Sequence, residues 1–294
     1  MYVYRVLKER HGIREPWIKN IINLWLIIGI IQKYVWSSFG HTFVSNARTT
    51  ANRGVISLAS EPSFYGYMCF FMLLFAIKFE TKKLFYILNL LFQIICLAQS
   101  SVTMVYLIVF LLTSCMHSFV KGNVKRNLLF LISGISGLGI LYWYVQNNHN
   151  TRATYLLYSV FRFEKVTDLL NLIERDESIQ IRLNQIMFCI HEFLCNWGIP
   201  HCFGSRHRLE SGYGALLYEL GWVGLLIIIV LWRIVYKGYQ KKWSFIIATA
   251  LTIVLFSAIQ MSLPTLGFFV GYMIYEGDKR GGINVIKQMG ISVK

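Results

Sequence analysis

Eight apolar runs, each long enough or nearly long enough to cross a bilayer, dominate this 294-residue chain. They lie at residues 18–36, 63–79, 84–99, 103–120, 127–146, 213–233, 243–262 and 264–277, against a requirement of about 20 residues or somewhat fewer. The last run is short. Pro264, Gly267 and Gly271 interrupt it, so it is expected either as a span or as a re-entrant half-helix covered by its neighbours. With 55% hydrophobic and 16% aromatic residues and a mean hydropathy of +0.51, a water-soluble core could not absorb this much apolar surface. The expected fold is therefore all-α, a polytopic membrane helix bundle of about eight spans, forming a single membrane domain over residues 1–294.

The net charge of +15 would point to nucleic acid in a soluble protein. Here its placement gives another answer. With the amino terminus inside, residues 1–19, 78–83, 120–126, 233–242 and 276–294 face the cytoplasm and carry nineteen Lys/Arg against five Asp/Glu, which is +14 of the total. The positive-inside rule then holds at every turn, both termini are cytoplasmic, and no nucleic-acid partner is needed to explain the charge. Residues 1–20 are basic and polar, with no small-residue cleavage site behind an apolar run, so the first span is expected to direct insertion itself.

Two outward stretches are too long for plain hairpins: residues 37–62, and above all residues 147–212. Within the second, Ile179, Leu183, Ile186, Met187, Ile190, Phe193 and Leu194 recur at helical spacing, which predicts an amphipathic helix on the membrane surface or against the bundle. A shorter helix, Glu164 to Arg175, is expected before it. Trp197, Gly198, Ile199 and Pro200 end the amphipathic helix. Cys69, Cys96 and Cys115 fall in apolar runs and read as small hydrophobes, while Cys189, Cys195 and Cys202 remain open to bridging. His191, His201 and His207 stand near those three cysteines, yet no metal-ligand spacing is present, so no metal is expected.

Chemistry is expected on the outer face, and what that face offers is arginine: Arg48, Arg53, Arg152, Arg162, Arg175, Arg182, Arg206 and Arg208. A planar guanidinium makes paired, charge-assisted bonds to a lipid-linked phosphate or pyrophosphate that a lysine cannot reproduce. The competing reading is that such arginines hold anionic headgroups or nearby acids. Two constellations rise above that background. In one, Arg48 and Arg53 precede Gly54–Ser60, then Glu61, Pro62 and Ser63 open the second span; in the other, Arg206, His207, Arg208 and Glu210 crowd the mouth of a span that continues through Tyr213, Leu217, Glu219, Gly221 and Gly224.

Taken in order, these residues resemble the O-antigen polymerase and ligase superfamily of bacterial glycan assembly. The resemblance rests on the arginine-glycine element with its following Pro-Ser (Arg53 to Ser63), Gln99-Ser100-Ser101 in a tight outer turn, the large outer loop with Arg182 and Trp197-Gly198-Ile199-Pro200, and Glu210 to Gly224. It covers about residues 45–230. Ligases of the superfamily carry histidine and asparagine where this chain has Glu210 and Ser211, a departure that favours a polymerase-like member. The resemblance implies a multi-pass enzyme of the bacterial plasma membrane that polymerises polyprenyl-pyrophosphate-linked oligosaccharide repeat units without nucleotide, metal or other cofactor. It further implies a chain-length regulator and a flippase as partners.

On that reading a pyrophosphate leaving group needs positive charge where its negative charge develops, a role for Arg53 and Arg182 with Arg48, Arg206 and Arg208 as helpers. The acceptor hydroxyl must lose a proton, and His207, Glu210 and Glu61 are the bases at hand. Tyr213, Trp197 and Tyr142 are candidates to stack on sugars. The alternative is a transporter or a non-catalytic membrane partner for lipid-linked glycans, but neither mid-span ionisable residues nor paired broken helices are evident.

Overall fold

The computed structural model of the protein describes residues 2–9, 15–39, 54–100, 102–104, 106–110, 177–202, 211–238 and 264–288, with a few isolated positions between them. Every regular element among these residues is helical, so the all-α class holds. The chain divides into two compact units, one of Ile13–Leu172 and one of Met1–Gly12 with Ile173–Lys294. Among the described residues, no helix is long and apolar enough to cross a membrane.

The first unit begins with α2 (Glu15–Tyr34), after the separate helix α1 (Tyr2–Glu9) of the other unit. At 20 residues α2 has the length of a span, but Lys19, Asn20, Asn23, Gln32 and Lys33 interrupt its apolar surface. Its partners are α3 (Pro62–Ala76), started by Pro62 in the first turn, and α4 (Lys83–Phe92), which widens without a break into a π-helical turn over Gln93–Ala98. Gln99, at φ +45°, ends that turn, and Ser100 accepts from the Met104 N–H as the next helical piece begins. The tight turn expected at Gln99 and Ser100 is thus present.

Polar side chains on these helices face one another instead of solvent. Gln93, fully buried, donates to Asn89 Oδ1 (2.7 Å) and to the Ile22 carbonyl (3.2 Å), and accepts the Tyr65 hydroxyl (2.9 Å). Asn89 in turn donates to Asn23 Oδ1 at 3.4 Å. Interhelical bonds of this kind fix the register of apolar helices, because an unpaired amide in such a core costs more than the bond returns. Around the network lie Phe70, Phe71, Leu74, Leu90 and Ile94, all buried.

The opposite end of α2 is tied to the α3–α4 connection. Glu15 Oε1 accepts the Glu80 N–H (2.7 Å), and Lys19 donates both to Glu15 Oε2 (2.6 Å) and to the Thr81 hydroxyl (2.7 Å). Burial works to raise the Glu15 carboxyl, but the bonds from Lys19 and from the Glu80 and Thr81 backbone outweigh it and hold the group below its ordinary value. A group depressed on folding contributes stability that is full above its unfolded pKa and is lost as pH falls through its folded one. Thermal melts of the detergent-solubilised protein are therefore expected to weaken on acidification through and below the carboxylate range. Glu15→Gln should lower the neutral-pH midpoint by the equivalent of about 1 kcal/mol and flatten part of that acid dependence.

The second unit holds α5 (Glu177–Cys195), α6 (Gly212–Leu220), α7 (Trp222–Gly238), α8 (Pro264–Gln288) and α1, which packs on α8. Two expectations need correction here. The run at 213–233 is not one helix, because Gly221, at φ +57°, parts α6 from α7. The run at 264–277 is not broken, since α8 passes through Gly267 and Gly271 without interruption and Gly271 lets the α1 backbone approach, a Cβ there standing 2.8 Å from Val3. The amphipathic helix predicted around 179–194 is present as α5, but its apolar stripe is not all inward: Met187 is 65% and Leu194 68% exposed, while Cys189 is fully buried. The reason is the seat of α5 on α6, which is made through Phe188 against the Tyr218 ring (5.5 Å) and Cys189 against Gly214. Among the described residues the cysteines, Cys189, Cys195 and Cys202 included, form no disulfide. Cys115, the helix expected at Glu164 to Arg175, and most of the runs at 127–146 and 243–262 lie outside the described residues.

Candidate functional site

Each unit carries one of the stretches in which the sequence places its chemistry. In the first, the backbone from Gly54 to Ser57 is not a surface loop. Gly54 lies so close to the end of the π turn that a Cβ would stand 2.0 Å from the Ala98 carbonyl oxygen, and the Val55 N–H donates to the Leu97 carbonyl (2.9 Å). Gln32, only 3% exposed, reaches across from α2 so that its Oε1 accepts the N–H groups of both Ile56 (3.1 Å) and Ser57 (2.8 Å). Two successive N–H groups converging on one oxygen, with Ser57 in the left-handed region at φ +50°, form the kind of concavity that elsewhere holds an anion. The Ser57 hydroxyl donates to the Trp25 carbonyl of α2 (2.9 Å), and Lys33 donates to the Cys96 carbonyl of the π turn (2.5 Å).

Glu61 follows this run at the head of α3, in extended conformation, where its carboxylate accepts the Ser63 hydroxyl (2.5 Å) and its carbonyl accepts the Tyr65 N–H. Its observed engagement is with the helix start. Arg48 and Arg53 lie outside the described residues.

In the second unit the chain leaves α5 through Trp197 and Gly198, both at positive φ, and folds back onto the joint between α6 and α7. The Gly198 carbonyl accepts the Trp222 N–H (3.1 Å), and the Trp222 indole donates to the Trp197 carbonyl (2.8 Å). Gly221 is required there, since a Cβ would lie 1.9 Å from that same Gly198 oxygen on a backbone already at φ +57°. The His201 and Cys202 N–H groups then pair with the Tyr218 and Glu219 carbonyls, strapping the loop along α6. At the far side Ser211 caps α6 by accepting the Gly214 N–H at 3.0 Å.

This strap assembles a polar cluster that the sequence reading passed over. The His201 ring lies flat on Tyr218, 4.2 Å between centroids and 10° from parallel. Its Nδ1 faces the Tyr218 carbonyl at 3.3 Å, while its Nε2 lies 3.1 Å from Asn196 Nδ2 and 3.4 Å from Glu192 Oε2. Asn196 also donates to Glu192 Oε2 (2.9 Å). A carbonyl can only accept, so Nδ1 carries the proton and the lone pair sits at Nε2. The only signals available in the sequence were the four-residue spacing of Glu192 and Asn196 on one helix face and a histidine just beyond the helix end.

Of the other expected site residues, Arg182 is placed within α5 by its backbone, whereas Arg206, His207, Arg208 and Glu210 lie outside the described residues. Tyr213 is buried, which removes it as a sugar-stacking surface; Trp197 and Tyr142 are exposed. Among the described residues no cluster of His, Cys, Asp and Glu could hold a metal ion. No family model, curated protein or solved structure matches the chain.

Proposed function

We propose that the chain is a polytopic protein of the bacterial plasma membrane, with both termini cytoplasmic, that transfers a glycan from one polyprenyl pyrophosphate to the sugar end of another lipid-linked repeat unit on the outer face. The membrane part of this reading is supported by the charge bias and by what the helices expose. Leu24 and Ile27 on α2, Leu84 and Leu88 on α4, and Leu226, Ile229 and Val230 on α7 all point outward, a surface suited to acyl chains. Arg233 and Lys237 close the α7 end that the positive-inside rule puts in the cytoplasm.

For the chemistry, the observation that carries the reading is the anchorage of the backbone directly after Arg53. Gly54 through Ser57, which follow Arg53 in the sequence, are bonded into the bundle by Gln32 and Leu97. A preorganised cation is worth most where charge develops, at the departing pyrophosphate. The arginines proposed from the sequence for the diphosphate are Arg53 and Arg182, with Arg48, Arg206 and Arg208 as helpers; lipid-linked glycan is the substrate, and a chain-length regulator and flippase of the same pathway are the expected partners.

Deleting the gene in its host and reading glycan length on a gel tests this. Single-repeat glycans on deletion, restored to long chains by the wild type but not by Arg53→Ala or Arg182→Ala, are the expected result. Complete loss of exported glycan would instead indicate transport, and unchanged chain length would end the proposal.

A further inference from the structure

We infer that His201, held by Tyr218 and Glu192, is the general base that takes the proton from the acceptor hydroxyl, an assignment that rests on the glycosyl-transfer reading. Four features of the cluster serve this role together. The Tyr218 carbonyl fixes the proton on Nδ1, so the lone pair is permanently presented at Nε2. The Tyr218 ring beneath the imidazole fixes its plane. Glu192 Oε2, 3.4 Å from Nε2, stabilises the imidazolium once it forms. The partner that now occupies Nε2, the Asn196 amide, is a neutral donor that a substrate hydroxyl can replace while Asn196 keeps its bond to Glu192. Both His201 and Glu192 remain reachable, their side chains 27% and 28% exposed.

The step balances without any further reactant. The acceptor O–H bond breaks as its proton passes to Nε2, and the oxygen bonds the anomeric carbon. The bond from that carbon to pyrophosphate breaks, and the lipid diphosphate departs with the electron pair. The imidazolium then returns its proton to water. Titratable groups around His201 are Glu192 on α5, with His191 4.0 Å beyond its other oxygen, and Tyr218 on α6.

The test measures polymer formation against acceptor concentration in membranes of the deletion host carrying wild type, His201→Gln or Glu192→Gln, with thermal melts of each purified protein. His201→Gln is expected to lower the rate about 100-fold with an unchanged melt. Glu192→Gln should cost about tenfold in kcat with the KM for the acceptor unmoved, a split that a purely structural role would not produce. A folded His201→Gln within about threefold of wild type overturns the inference, as does a Glu192→Gln with kcat unchanged, the deciding measurement if His201→Gln does not fold. Wild-type membranes that make no polymer overturn the glycosyl-transfer reading and this assignment together.

Discussion

Gly54→Ala is expected to destabilise the Ile13–Leu172 unit by about 4 kcal/mol or more, the cost of orphaning up to three buried N–H groups at about 1–3 kcal/mol each. The added methyl would stand 2.0 Å from the Ala98 oxygen, 2.4 Å from its carbonyl carbon and 2.5 Å from the Leu97 oxygen, all main-chain atoms that cannot rotate away. Relief requires the 54–57 segment to lift from the π turn. That movement breaks the Val55 to Leu97 bond and pulls Ile56 and Ser57 off Gln32. Gly29→Ala is the internal control: its methyl meets the Tyr65 hydroxyl at 2.9 Å and a Leu97 methyl at 3.1 Å, side-chain atoms and no main-chain carbonyl.

The measurement uses one of the unit's own thiols. Cys69 is buried, so in a background with Cys96, Cys115, Cys189, Cys195 and Cys202 replaced by serine, heating until a thiol-reactive dye labels it reports the opening of the bundle. Gly54→Ala should lower that midpoint by about 10 °C and Gly29→Ala by no more than about 3 °C, on the usual conversion for a unit of this size. Equal shifts would show that the approach of Gly54 to the π turn is not what seats the segment. Because this segment carries Arg53 at its head, Gly54→Ala should also shorten glycan chains in the complementation assay, whereas Gly29→Ala should leave them long.

How much of this was legible beforehand depends on which property encodes it. Apolar runs marked α2, α3 and α4 to within a few residues at most ends, since burial of apolar surface is what places those helices. The widening at Gln93–Ala98 was invisible, because a π turn is chosen by tertiary contacts at its open carbonyls and not by the residues Gln-Ile-Ile-Cys-Leu-Ala themselves. Gly221 read as one more glycine in a span, and only the Gly198 carbonyl lying against it turns that position into a break. The cluster at His201 was missed for a related reason. Periodicity reports which face of α5 is apolar, with Met187 and Leu194 in its stripe, yet the face that docks on α6 includes Cys189 and leads on to Glu192 and Asn196. A stripe fixes an axis of polarity; the neighbour decides where it points.

Gln32 is where that lesson has its largest energetic consequence. In the sequence it is one polar residue near the outer end of a span, of no evident importance beside Lys33. In the fold it is a buried acceptor for the main-chain donors of Ile56 and Ser57, both themselves fully buried. Gln32→Leu keeps the volume and removes the oxygen. It should therefore cost about 4 kcal/mol, two orphaned N–H groups at roughly 2 kcal/mol each, although leucine is the better residue for an apolar helix face. Gln32→Glu separates the two effects. Its carboxyl, neutral or charged, still offers an oxygen to Ile56 and Ser57, so the segment stays seated and the loss should be less than half that of leucine. The dye-labelling midpoint of Cys69 reads both variants, with Gln32→Leu expected about 10 °C below wild type and Gln32→Glu between the two. A leucine variant as stable as wild type would mean that the 54–57 backbone finds its donors' partners elsewhere, and the anchorage of the segment that follows Arg53 would go with it.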